Sequence, residues 1–415
     1  GIRCRIAIRF PETLVLEGIR FPLLMLRVPS PTGATDALVF GSTKGGVHPR
    51  PSAWPSGRTV AYSQPGSLTA QFASYYDADG GLLTAAEDAR GYPKAVFAGR
   101  IGNSLLMCWY RQCLATAREV QAYDVVLTTF GRSEPSRPVD WRDAADLYKQ
   151  WAVRQPWCAK TLARRDDLPA WLKEGPAMVR FGRDWLADPA SIESWLTGYW
   201  RKHFGGGANR SSPDGSPGRV PLVIAYWGWE KVDTWITPDY FPAYPSDDVF
   251  RRLVQMGRTL GGHTFLWPSG YHYTVTYRKM ADGSFAWDDR QRFDATARAH
   301  AVCGRDGKAI IGDRSWLAGG QTATLCPGDP WTIDWLNRTA TQIVERGAEL
   351  VQIDQVVGGS FPACYSTKHG HAPGPGPWMT DVFHRQLDAM LRACRKIDPG
   401  AVVAFEEPNE WFIQQ

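Results

Sequence analysis

The chain has 415 residues, of which 44% are hydrophobic and 12% aromatic, including 19 Trp, and its net charge is +5. That length allows two or three domains with cores of their own. The charge is mild and scattered, with no Lys/Arg run of a nucleic-acid patch, and no apolar run reaches the roughly 18 residues of a membrane helix, so neither nucleic acid nor membrane is an expected partner.

Eight Cys occur without a CxxC pair, which argues against a zinc ribbon or a redox motif. No signal peptide is visible. The first residue is Gly rather than Met, so a removed leader, with a secreted or periplasmic protein, is compatible with the sequence. The oligomeric state is not encoded in any pattern found.

Residues 1–138 read as β structure. Residues 4–10 alternate polar and apolar, and turn clusters at 29–33 and 77–81 punctuate further short apolar runs. Short strands with Gly/Pro turns at this spacing predict an antiparallel β-sandwich, with a late strand over 120–128. Residues 139–175 read as a helical linker. Its helix, 140–152, has Asp140 as N-cap and Ala144, Leu147, Tyr148 and Trp151 on one face.

From residue 176 to 415 the pattern becomes strand, then helix, repeatedly. Strands are expected at 177–181, 221–229, 263–268, 349–355 and 401–406, and helices at 191–203, 247–260, 329–346 and 381–397. Residues 205–219 form a Gly/Ser/Pro loop without evident chemistry. Alternation of this kind predicts an α/β unit with a parallel sheet, here a (β/α)8-type TIM barrel. Only five strands are counted where closure needs eight. Either further strands lie between Tyr271 and Cys326, or the barrel is truncated at the C-terminus.

Two apolar runs end in acids, Val351-Gln352-Ile353-Asp354 and Val403-Ala404-Phe405-Glu406. Side chains alternate along a strand. With Val351, Ile353, Val403 and Phe405 against the helices, Asp354 and Glu406 face inward. Two carboxylates at one barrel rim are the minimum equipment for cleaving a glycosidic bond. Asp354 and Glu406 are therefore the candidate catalytic residues, with Glu407 ranked behind Glu406.

The other strand ends supply a candidate sugar-binding surface. Arg180, Trp227 and Trp229 close the first two strands, Asp239 follows, and Trp267, Tyr271 and His272 close the third. Gln355, Glu407 and Glu410 flank the acids. The loop from Cys364 to Trp378 adds His369, His371 and Trp378. Cys and paired His are metal donors, yet the loop offers no fourth ligand at helical or turn spacing. Its His residues are read as donors to substrate hydroxyls, with no metal or cofactor expected.

The Trp227-Gly228-Trp229 strand end, Phe265 to Gly270, Val351 to Gln355, the Cys364…His369-Gly370-His371 loop and Glu406…Glu410 together carry a resemblance. Across its whole length the chain resembles a bacterial barrel domain of unknown function. That domain is similar to the barrels of endo-α-N-acetylgalactosaminidase and related retaining glycosidases. The resemblance implies a strand-end Asp as nucleophile and a Glu at the next strand end as acid/base. These map to Asp354 and Glu406, 406 − 354 = 52 positions apart. Glu407 departs from the pattern, where a small residue is more usual. The expected function is a retaining glycoside hydrolase acting on an oligo- or polysaccharide. The alternatives are a non-catalytic carbohydrate-binding protein and a metal-dependent hydrolase built on His369 and His371.

Overall fold

A computed structural model describes every residue except 12, 30–33, 43–44, 116–118, 122, 133–135, 204–219, 233–237, 315–316 and 415. The loop expected at 205–219 lies outside the described residues.

The N-terminal part holds two large antiparallel sheets and a two-stranded one, Ala7–Arg9 with Glu119–Gln121. One orders six strands as Ile2–Cys4, Asp124–Gly131, Gly80–Glu87, Leu68–Tyr76, Ala37–Ser42 and Val47–Pro49. The other orders Leu16–Arg27, Ser104–Ala115, Lys94–Ile101 and Thr59–Gln64. Alternate residues of both meet in one core, with Leu38, Phe40 and Val125 from the first sheet and Val96, Leu105, Met107 and Trp109 from the second. The indole of buried Trp109 donates to Thr84 Oγ1 at 2.8 Å, so its one polar atom is satisfied there.

The intervening positions, Ala37, Val39, Phe72 and Ala85, face the other way and pack on α1 (Trp141–Ala152) through Ala144 and Tyr148. Helix α1 starts where the sequence predicts. Asp140 accepts from the Arg142 amide, and Asp143 reaches back to the Asp140 amide, closing a capping box.

Five strands then form one parallel sheet in chain order: β1 (Ala177–Phe181), β2 (Leu222–Tyr226), β3 (Gly262–Leu266), β4 (Leu350–Ile353) and β5 (Val402–Phe405). Parallel sheets are apolar on both faces. On one face Ile224, Tyr226, Leu266, Val351, Ile353 and Val403 join the main core with α2 (Asp247–Thr259), α3 (Pro330–Glu345) and α4 (Trp378–Arg395). On the opposite face Val223, Ala225, Phe265, Trp267, Leu350 and Val402 form a smaller cluster. The division of side chains on β4 and β5 is the one alternation predicts.

All five expected strands are present and adjacent. Among the described residues β1 and β5 are each paired on one side only, so the sheet is open, without the eight-stranded closure expected. The strands between Tyr271 and Cys326 exist but do not join it. They make a separate antiparallel sheet, ordered Phe285–Asp288, His272–Lys279, Gln321–Thr324 and Ile311–Asp313. The helix expected at 191–203 divides into Pro189–Ser194, a π-turn over Trp195–Trp200 and Arg201–His203.

Candidate active site

Asp354 and Glu406 each follow the last residue of a strand, and Ile353 and Phe405 are register partners. The next positions, Asp354 and Glu406, are thus neighbours at the C-terminal edge of β4 and β5. The register also aligns Arg180 with Ala225, Ala225 with Phe265, Phe265 with Leu350, and Gln352 with Ala404. Alternation then places Arg180, Trp227, Trp267, Gln352, Asp354 and Glu406 on one face.

The two carboxylates differ in surroundings. Asp354 is 4% exposed. Its Oδ1 accepts from Gln352 Nε2 at 3.2 Å, and its Oδ2 has no hydrogen-bond partner among the described residues. Burial, followed by the charge of Glu406, pushes the Asp354 carboxyl up to about 7, against the opposing pull of Gln352. Glu406 is exposed, and its Oε2 accepts from the backbone N–H of Gln355 at 2.9 Å. Gln355 holds a left-handed φ of 60°, uncommon for a residue with a Cβ, and this turn aims its amide at Glu406. Gly270 fixes the other side. Its φ is +58°, and a Cβ there would lie 2.6 Å from the Asp354 carbonyl oxygen. The loop after β3 therefore presses directly on the Asp354 backbone, whose N–H donates to the Pro268 carbonyl at 3.1 Å.

Beside the acids lies an aromatic patch. Trp227 and Trp267 meet edge to face at 5.1 Å, Phe265 lies 4.9 Å from Trp267, and the Arg180 guanidinium sits 4.9 Å over Trp227. Trp267 is at the level of Gln352, one pleat below Asp354, about 6.6 Å along the strand. A cleft of about 370 Å³ adjoins on the Gln355 side, lined in part by Tyr271, His272, Arg314 and Phe361. Burial, with the charge of Arg314, lowers His272 to about 4, so its ring is neutral near pH 7. A second cleft, about 470 Å³, follows the outer edge of β5 past Glu406, Glu407 and Asn409.

Several expected binding residues lie elsewhere or are buried. Trp229 is fully buried in the main core, stacked on Tyr240 at 5.8 Å. Tyr271 is 2% exposed and packs its ring edge against Phe383. Asp239 is held by Arg292 at 2.9 Å. Glu407 follows Glu406 by one position, so strand alternation turns it away from the face that carries Glu406. Glu410 is 6% exposed and belongs to a seam with the N-terminal sheets. It accepts from Tyr148 Oη at 2.7 Å and from Gln64 Nε2 at 3.3 Å, while Gln64 also accepts from Lys94, which pairs with Asp88 at 2.8 Å.

His369 and His371 are not at the acids either. With Cys326 and Cys364 they form a cluster whose donor atoms all lie within 4.8 Å of one another. The fourth donor missing from the loop comes from Cys326, just ahead of α3. No local spacing could reveal it, because Cys326 stands 364 − 326 = 38 positions ahead of Cys364. Trp378 stacks on His371 at 3.6 Å rather than facing a sugar site.

Residues 123–415 match the family described as Domain of unknown function (DUF6259), and the chain belongs to that family. A Bacteroides thetaiotaomicron protein named "Putative glycoside hydrolase" is 24% identical over 275 residues, 66% of this chain and 35% of its own length. The chain thus spans about a third of that relative. Alpha-N-acetylgalactosaminidase NagBb from Bifidobacterium bifidum superposes with a TM-score of 0.65 at 14% identity, covering 95% of this chain and 62% of that one. TtGalA, an alpha-galactosidase from Thermus thermophilus, gives 0.52 at 12% identity, covering 99% and 72%. The two structural likenesses are likenesses of fold. The chain is glycoside-hydrolase-like in sequence and in fold, as its resemblance implied.

Proposed function

We propose that the chain is a retaining glycoside hydrolase, with Asp354 as nucleophile and Glu406 as general acid/base. The observation that carries this reading is the carboxylate pair on adjacent parallel strand ends, facing one way, with unlike surroundings. Neighbouring strands stand about 4.8 Å apart. That spacing suits the roughly 5 Å gap of a retaining pair better than the 6.5–9.5 Å of an inverting one.

The charge of Glu406 is, after burial, the second cause that raises Asp354. Protonating Glu406 removes that part of the shift, and the Asp354 carboxylate attacks the anomeric carbon. The proton on Glu406 passes to the leaving oxygen, and Glu406 then takes one back from the water that releases the sugar. Arg180 and Trp227 would form the sugar platform, backed by the buried Trp267 ring, with Gln355 and His272 lining the adjoining wall. The names of the structural neighbours make α-linked galactose and N-acetylgalactosamine the first substrates to try. In this reading residues 1–138 form a β-sandwich unit, 139–175 the linker and 176–415 the catalytic unit.

The test uses aryl α-galactosides and aryl α-N-acetylgalactosaminides, then a wider glycan panel. Asp354→Asn and Glu406→Gln should each lower kcat by about 10³-fold or more, and azide should restore turnover of an activated substrate to the Glu406 variant. Full activity in both variants would sink the assignment.

A further inference from the structure

We infer that Cys326, Cys364, His369 and His371 bind one zinc ion, in a closed structural site that pins the loop after β4. Two thiolates and two imidazoles make the donor set of a four-coordinate structural zinc centre. Cys326 Sγ lies 3.2 Å from His371 Nε2, and Cys364 Sγ lies 3.4 Å from His369 Nδ1. A tetrahedral ion with Zn–S of about 2.3 Å and Zn–N of about 2.0 Å separates S from N by about 3.5 Å. Each pair therefore opens by only a few tenths of an ångström to admit the metal.

The surroundings orient the donors. His369 directs Nε2 at the Ala299 carbonyl, 2.8 Å away, and His371 directs Nδ1 at the Ala372 carbonyl, 2.9 Å away. A carbonyl only accepts, so in each neutral ring that nitrogen carries the hydrogen. The lone pair is then left on His369 Nδ1 and His371 Nε2, the two atoms turned toward the sulfurs. A ring nitrogen fixed by a backbone carbonyl is the usual outer support of a metal-binding His. The Cys303 amide donates to Cys364 Sγ at 3.4 Å, a further support. Gly370, at φ +72°, turns the chain between the two His, and a Cβ on Gly328 would lie 2.5 Å from the His371 ring. The packing is built around these four side chains.

Four protein ligands leave no position for an activated water, unlike a catalytic zinc with three. The role is therefore mechanical, and a metal-dependent hydrolase on His369 and His371 is disfavoured. Cys364 follows Phe361 and Pro362 of the cleft wall beside Gln355. Cys326 lies at the foot of α3, where Asp329 caps the helix. The ion would clamp one to the other. Zinc binds the thiolates, so uptake displaces any proton the two sulfurs carry.

Metal content tests this without reference to glycosidase activity. The reduced protein, purified after growth with added zinc, should carry about one zinc per chain by mass spectrometry of the metal. Cys326→Ser and His371→Ala should retain under about 0.2 equivalents. Because these variants could fail to fold, the wild-type chain is also reconstituted with Co²⁺. The intense visible absorption of tetrahedral cobalt, with a sulfur-to-metal charge-transfer band, is expected. Zinc-free protein after anaerobic reconstitution overturns the inference. A Cys326–Cys364 disulfide in the reduced, metal-exposed chain, or full zinc occupancy in a folded Cys326→Ser/His371→Ala double variant, does the same.

Discussion

Replacing Asp354 by Asn should remove activity and at the same time stabilise the protein, by an amount that grows with pH. The carboxyl is 4% exposed and sits at about 7 rather than its ordinary 3.8. A folded value above the unfolded one means that the native state holds the proton more tightly. Stability is then lost as pH rises from about 4 to about 7, and the full penalty stands above 7. The difference between 3.8 and 7 corresponds to about 4 kcal/mol. Asn keeps the shape and drops the charge, but its amide N–H group would replace Oδ2, which has no partner among the described residues. An unsatisfied buried donor costs about 1–3 kcal/mol. The net gain expected at pH 8 is therefore about 1–3 kcal/mol, with no gain, or a small loss, at pH 4. Urea denaturation of both proteins at pH 4, 6 and 8 reads this directly. A pH-independent difference, or a variant no more stable than wild type at pH 8, would refute the reasoning about Asp354.

The rest of the site makes its own predictions. Gly270→Ala forces a Cβ against the Asp354 carbonyl at 2.6 Å, and should cut kcat at least about tenfold with little change in secondary structure by circular dichroism. Trp227→Ala, at a partly buried platform residue, should raise KM several-fold and lower the thermal midpoint only modestly. Trp229→Ala, in the core, should instead destabilise by about 3–5 kcal/mol in urea denaturation. Glu410→Gln should keep near-normal turnover, whereas Glu410→Ala leaves the buried Tyr148 hydroxyl without its carboxylate and should cost about 1–3 kcal/mol by the same assay.

The strand ends bearing the acids were legible because β-branched runs stop at a carboxylate, and alternation then decided which neighbours face the helices. Val351, Ile353, Val403 and Phe405 behave as that rule requires. The same rule misplaced Trp229, which lies beyond the regular part of β2 after a Gly228 with φ of +74°, where the period of two no longer holds. Glu410 reads as a rim residue from its closeness to Glu406, but its partners Tyr148 and Gln64 come from hundreds of positions earlier. Cys326 is invisible for the same reason. Its meeting with the His loop depends on how the antiparallel sheet of 272–324 returns the chain to α3. The closure of a barrel is a property of strand number and tilt, and five correctly read strands do not supply it.

The seam around Glu410 has a consequence for engineering. Lys94 and Asp88 are sealed from water together with Gln64, Tyr148 and Glu410, and Glu410 is four positions after Glu406. The N-terminal sheets thus hold the backbone that carries the second acid, like a hand on the hinge of a door. Excising residues 1–139 would remove Gln64 and Lys94 from a carboxylate already raised to about 6 by burial, and the loosened segment would carry Glu406 out of register with Asp354. A minimal version of this protein has to be cut elsewhere, or have Glu410 rewritten as an apolar residue first.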